Sequence, residues 1–505
     1  MTWARIPRWH PLVLVSLALS AWVYFPITRV YFHADDLQHL LTIGDEGPLA
    51  FILKPFGGHA LLASNVMFVA SYELFGLRSE AYYWVVLLTH LLNESLLFAT
   101  LHAYTRSALL ACFGAALWGT SPLAVGTIGW YSVYGHAMVA TILLIVLGQL
   151  TRLVASDSPL TTRTAGLWYV LLLLGVVSFG TGIGVAFAFP AVLFLLMPSA
   201  WRRPGLRAAW VGLPLVTLAV YFVARRAYLL IAPLPVTELL GEVMVWNGVY
   251  ALTPDVAHML GFAVASVVLG FFRPPYPSPG CWAAIGAFCA GVALVVWRGG
   301  WPARRSVLAM VLLATSTYAV IALGRAALYA GLHIPPWAVA GFERYHYVAT
   351  IPVVVLLCLA LQQVGRLVGG PAPLLARLAL IAGLGAIVVG RLQSPFRINE
   401  HMETRYYVSQ TLRDIEAAVA AQPPGTTVFL ANEESPTIIL GALKNPAFPG
   451  RAAVFLITHP SSDMLNGRRV RFVEPDHQLL AMHSEGAGTR LAPLLVAPED
   501  LPAQP

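Results

Sequence analysis

Phe32-His33-Ala34-Asp35-Asp36 places two adjacent carboxylates just past an apolar run that extends from about Pro11 to Val30. Such a pair can supply a general base or take a divalent ion. Asp ahead of Leu37, Leu40 and Leu41 also suits a helix N-cap, but a cap uses one carboxylate and leaves the other for chemistry. Further along, Leu53-Lys54-Pro55-Phe56-Gly57-Gly58-His59 carries a lysine that could hold a phosphate as a point charge or reach lipid headgroups. Spacing alone favours the headgroups. Phe342-Glu343-Arg344-Tyr345-His346-Tyr347 offers an arginine fork matched to the two free oxygens of a phosphodiester. An aromatic belt with a snorkelling arginine is the equal alternative. His90, Asn93 and Glu94 fall on one helical stretch, where ionisable groups suggest a site and amides suggest packing. Trp130 to His136 could stack on a sugar ring or belong to the belt, and Arg225-Arg226 read as snorkelling cations at a span end.

The elements that must position these groups are membrane helices. Hydrophobic residues make up 58% of the 505 and charged ones only 11%, far below the roughly 25% of soluble domains. The apolar runs are continuous rather than alternating, which selects helices over a barrel. After the first span, runs at about 82–104, 107–121, 135–151, 166–180, 183–198, 208–231, 256–272, 281–297, 306–330, 346–365 and 374–390 give an all-α polytopic chain. With 60–76 as a short span or interfacial helix, the total is about twelve or thirteen spans. Arg202, Arg203 and Arg207, and then Arg298, Arg304 and Arg305, mark cytoplasmic loops. Residues 31–80 then form a first outer loop, and 1–394 is the transmembrane domain. Residues 395–505 are less apolar and read as a small extracytoplasmic α/β domain. It has a helix through Tyr407, Leu412 and Val419, strands near 427–430, 453–457 and 470–473, and a loose Pro/Ala-rich tail. The net charge of +7 comes from loop arginines and implies no nucleic acid. The four cysteines sit in apolar runs as buried thiols.

The chain resembles the GT-C membrane glycosyltransferases that use polyprenyl-phosphate sugars, of the protein O-mannosyltransferase and aminoarabinose-transferase type. The residues that carry the resemblance are Asp35-Asp36, Lys54-Pro55, Leu74-Phe75-Gly76-Leu77, His90-Leu91-Leu92-Asn93, Ser121-Pro122 and Arg344-Tyr345. It covers about the first 150 residues by motif and 150–395 by order of elements. It implies an inverting transfer of a sugar, a hexose such as mannose, to an acceptor hydroxyl at the outer face of the membrane, and the Ala/Arg/Gly-rich composition points to a bacterial inner membrane. Asp35 of the pair would be the base, with Lys54 and Arg344 on the donor phosphate. His59, His90, Tyr345 and Trp130 are the further substrate-binding candidates. The resemblance fixes no cofactor; a divalent cation, Mg or Mn, bridging Asp36 and the phosphate is the one candidate. The partners implied are the lipid-linked donor, a glycan, protein or lipid acceptor, and the bilayer. Two features depart from the family: some relatives have Asp-Glu at the pair, and the first outer loop is short here. The chemistry is consistent, because a leaving polyprenyl phosphate is a stable anion that needs no general acid. A secondary transporter or a lipid or glycolipid flippase is the alternative. It predicts paired broken helices at midplane, for which Phe179 to Gly184 is a single candidate without a partner.

Overall fold

The structure is a computed structural model. It describes residues 10–233 apart from 31, 33, 34 and 77, then 252–269, 275–367 apart from 332, 378–386, 390, and strand residues 429–431, 455–457, 479–485 and 488–493. The described helices are α1 (Leu12–Tyr24), α2 (Asp35–Glu46), α3 (Pro48–Leu53), α4 (Leu62–Phe75), α5 (Ser79–Thr105), α6 (Ala108–Gly119), α7 (Val125–Ile128), α8 (Gly135–Ala155), α9 (Thr162–Val176), α10 (Gly180–Leu196), α11 (Pro198–Trp201), α12 (Pro204–Arg226), α13 (Leu252–Leu269), α14 (Pro279–Arg298), α15 (Trp301–Gly331), α16 (Pro336–Val339) and α17 (Thr350–Leu367). Among the described residues, seven helices are long and apolar enough to cross a membrane, or eight if the bent pair at 108–128 is one span. The chain is thus an α-helical multi-pass membrane protein. The expected twelve or thirteen spans also counted four runs that form helices too short for that test, Leu62–Phe75, Thr162–Val176, Gly180–Leu196 and Pro254–Leu269. The run at 374–390 is described only in part.

The chain divides into two compact units. Unit 1 comprises residues 1–27, 52–67 and 84–398. Its centre is the pairing of α10 with α15. Small residues allow it: a Cβ on Gly184 would stand 2.7 Å from both Ser316 O and Thr317 Cα, and Ser316 Oγ donates to Gly184 O at 2.8 Å. Gly182 lies against the end of α9 in the same way, with Gly175 O only 2.0 Å from where its Cβ would be. The Gly-rich stretch is therefore a close-packing device, which is how small residues serve membrane helices. α12 shows the other pattern. Trp210, Leu213, Thr217 and Ala224 are buried, while Val211, Leu215, Leu218 and Phe222 form an exposed apolar stripe at helical spacing.

Unit 2 comprises 28–51, 68–83 and 399–505. In its first part α2 lays His39 against Phe51 and Phe68, with ring centroids 5.1 and 5.4 Å apart, and Phe32 packs edge-on to Tyr82 at 4.9 Å. Ser79 Oγ donates to Val30 O at 3.0 Å and Tyr82 Oη to Gly76 O at 2.8 Å, fixing the ends of this cluster. Its C-terminal part contains the strands β1 (Phe429–Ala431), β2 (Phe455–Ile457), β3 (Leu479–Glu485) and β4 (Gly488–Pro493). They form a sheet of order β2-β1-β3-β4, with β1 parallel to β2 and β3, and β3 antiparallel to β4. The expected helix at 407–419 and the strand at 470–473 fall outside the described residues, as does the stretch from 234 to 251.

Candidate functional site

The segment from Lys54 to His59 folds as a tight reversal. Phe56 and His59 exchange backbone hydrogen bonds of 3.2 and 3.0 Å, and the two residues between them have positive φ, +57° at Gly57 and +81° at Gly58. Two successive left-handed residues define a turn that glycine accommodates without steric cost. Asn65 at the start of α4 donates to the carbonyls of Ile52 and Lys54, at 3.4 and 3.2 Å. From α12, Tyr221 Oη donates to Gly58 O at 2.7 Å, and from α15, Arg325 Nη2 donates to Gly57 O at 2.9 Å. The same Arg325 nitrogen lies 3.1 Å from His59 Nε2. The His59 ring tilts over Phe179 at 4.5 Å, and His136 of α8 flanks the same phenyl ring at 4.0 Å. His136 Nδ1 pairs with Thr181 Oγ1 at 3.2 Å, while its buried Nε2 has no hydrogen-bond partner.

His59 reports the charge gathered around it. Desolvation holds its pKa well below the ordinary value, and Arg325, His136, Arg225 and Arg344 each push it further down. Three of these groups are arginines, from α15, α12 and the segment before α17, so three parts of unit 1 direct cations at one turn. Arg225 was expected to snorkel; it is instead only 3% exposed, on the buried side of α12, and donates to Tyr221 Oη at 3.2 Å. The same period that buries Thr217 and Ala224 buries Arg225, while Arg226, one position on, is exposed.

Arg344 stands in an aromatic frame. Its guanidinium carbon lies 5.0, 5.3 and 5.6 Å from the ring centroids of Tyr345, Phe342 and Trp130. Its Nη2 donates to Tyr329 Oη at 3.2 Å and to Tyr345 Oη at 3.4 Å, and those two hydroxyls bond each other. Gly126 of α7 admits the backbone here, since a Cβ would meet Arg344 N at 2.6 Å. Neither Arg344 nor Arg325 contacts a carboxylate among the described residues. A guanidinium in this state retains donors for an added anion.

The structure brings Arg344, Tyr345 and Trp130 together and sets His59 beside Arg325. Lys54 is placed with its ammonium 5.9 Å from the Tyr228 ring centroid. His90 has the packed arrangement. Its ring nitrogens meet Tyr347 Oη and Gly119 O, each at 2.8 Å, its ring stacks on Trp118, and Asn93 next to it donates to Ala137 O. In unit 2 both aspartates lie in the first turn of α2, where the helix dipole favours carboxylates. Asp35 is half-buried; Asp36 is fully buried and accepts from Tyr83 Oη at 3.3 Å. Among the described residues no group of three or more His, Cys, Asp or Glu comes together to hold a metal. Arg325, Tyr221 and Tyr329 escaped the sequence reading, while Arg225 entered it only as a snorkelling cation and His136 only as the end of an aromatic run. Their signal was a polar residue near the end of an apolar run.

Comparison with known proteins finds no matching family model and no matching curated protein. Among solved structures, the chain is similar to the archaeal oligosaccharyltransferase AglB from Archaeoglobus fulgidus in complex with an inhibitory peptide and a dolichol-phosphate, at 13% identity and a TM-score of 0.42, over 89% of this chain and 64% of that one. It is also similar to the Archaeoglobus fulgidus oligosaccharyltransferase in complex with Zn and sulfate, at 14% identity and a TM-score of 0.43, over 89% and 62%. The chain thus spans a little under two thirds of the length of either neighbour.

Proposed function

We propose that this chain is a membrane glycosyltransferase that takes a sugar from a polyprenyl-phosphate donor and passes it to an acceptor hydroxyl on the non-cytoplasmic side. One observation carries the reading: arginines from three parts of unit 1 converge on one turn, and two of them, Arg325 and Arg344, have no carboxylate partner among the described residues. An anion belongs there. The side of the membrane follows from the helices that deliver the cations. α12 and α15 both start at arginine-rich ends, where Arg207 lies over Trp201 and Arg304 over Trp301, and both run toward Arg225 and Arg325. Under the positive-inside rule those starts are cytoplasmic and the anion site is external.

In this reading Arg344, Arg325, Arg225 and Lys54 hold the donor phosphate and stabilise the charge that grows on it as the glycosidic bond breaks. Asp35 takes the proton of the acceptor hydroxyl, and Asp36, buried against Tyr83, orients the first turn of α2. A single displacement inverts the anomeric carbon. The phosphate leaves as a stable anion and no general acid is needed. Residues 395–505 form an extracytoplasmic α/β appendage in the same reading, and the acceptor is a glycan, a protein or a lipid.

Transfer from a radiolabelled polyprenyl-phosphate sugar in detergent tests it. Asp35→Asn should keep the fold and lose activity by roughly 10²–10⁴-fold, the usual scale for a general base. Full activity in both Asp35→Asn and Asp36→Asn ends the base assignment, and full activity in Arg344→Ala ends the phosphate assignment.

A further inference from the structure

We propose that His59 takes up a proton when a phosphodiester anion binds among Arg225, Arg325 and Arg344, so that binding and protonation are one event. The inference rests on the anion site proposed above and adds its proton linkage.

The hydrogen-bond pattern fixes the starting state. A guanidinium only donates, so the 3.1 Å contact between Arg325 Nη2 and His59 Nε2 requires a lone pair on Nε2. The imidazole is therefore neutral, with its proton on Nδ1. Among the described residues the charges acting on it have one sign: Arg325 from α15, Arg225 from α12, and Arg344. His136 adds a second observation that points to a ligand, since its Nε2 is buried and lacks a partner next to the same Phe179 ring.

A phosphodiester on the guanidiniums reverses the balance. It offers oxygens that accept better than an imidazole nitrogen, so Arg325 turns its N–H groups to the anion and releases His59 Nε2. The negative charge then favours the imidazolium, which donates its new Nε2–H to the phosphate. One proton passes from solvent to His59, and no covalent bond is made or broken. The sign follows from linkage: a group whose pKa rises on binding makes the complex tighter as pH falls. Binding tightens as pH falls through the raised value of the complex and levels off below the lowered value of the free chain.

The test uses a short-chain isoprenyl methyl phosphodiester, whose charge does not change between pH 5 and 8. Calorimetric titration of the full-length chain in detergent, in two buffers of different ionisation heat, counts the protons exchanged. The native chain should take up a substantial fraction of one proton near pH 6 and bind roughly tenfold tighter at pH 5.5 than at pH 8. His59→Gln, whose amide oxygen can still accept from Arg325, and His59→Asn should bind with no proton uptake and a flat pH profile. Binding by the native chain without proton uptake overturns the inference and leaves the anion site standing. Uptake that persists in both variants overturns the assignment to His59. No binding at any pH overturns the anion site and this inference together.

Discussion

Arg344 shows what a single residue contributes. Three rings surround its guanidinium and Nη2 donates to two tyrosine hydroxyls; in the proposed function its other donors meet the donor phosphate. Lysine at this position keeps the charge and loses the fork. Arg344→Lys should lower kcat/KM for the donor about 10–100-fold, the scale of a charge-assisted hydrogen bond. Tyr329→Phe should raise the donor KM by a few fold and leave the melting temperature near that of the native chain, because it removes only one positioning hydroxyl. Steady-state kinetics with purified variants check both. Of these residues the sequence exposed Arg344 and Tyr345, which are neighbours, and Trp130 in an aromatic run. Tyr329 was hidden, since a lone tyrosine near the end of an apolar helix has the same pattern as a belt residue.

Among the elements, the glycines decide how closely backbones approach. Gly182→Ala would drive a Cβ to within 2.0 Å of the Gly175 carbonyl oxygen, a backbone atom that cannot rotate away. The cost should reach or exceed the ~1–3 kcal/mol of typical overpacking. Gly166→Ala on α9 meets nothing within 4 Å and should be neutral or gain up to ~1 kcal/mol. Thermal unfolding in detergent separates the two. Gly58→Ala is a third case, with open space and a φ of +81°. It should cost about 1–2 kcal/mol through the backbone alone and loosen the turn that seats His59. The sequence revealed these elements unevenly. Long apolar runs became helices where they were expected. The Gly-rich stretch looked like a broken span because glycine content does not distinguish a break from a close contact. The Gly57-Gly58 turn was visible as a pair, but the helices that pin it through Tyr221 and Arg325 lie more than 160 residues away in the chain.

At the scale of the molecule, two helices that start at arginine-rich ends deliver arginines to a common site at their other ends. Topology is then directly measurable. A single cysteine placed at His333, just past the end of α15, should react with a membrane-impermeant maleimide in intact cells. One placed at Arg203, just before α12, should react only after permeabilisation. The reverse pattern would put the anion site in the cytoplasm and remove the proposed chemistry. In the sequence the loop arginines alone suggest this end-to-end polarity. It could not recover the convergence of Arg225, Arg325 and His136, because each stands alone on its own helix and only tertiary packing makes them neighbours.

The outward stripe of α12 has one more consequence. Val211, Leu215, Leu218 and Phe222 lead along the helix surface toward Arg225, whose own side chain turns inward. A ligand with an isoprenoid tail can follow that stripe sideways, its tail always in hydrocarbon and its headgroup arriving at the arginine without passing through bulk water. Encounter then becomes a search in two dimensions, governed by the surface density of the ligand in one leaflet rather than by its concentration in solution.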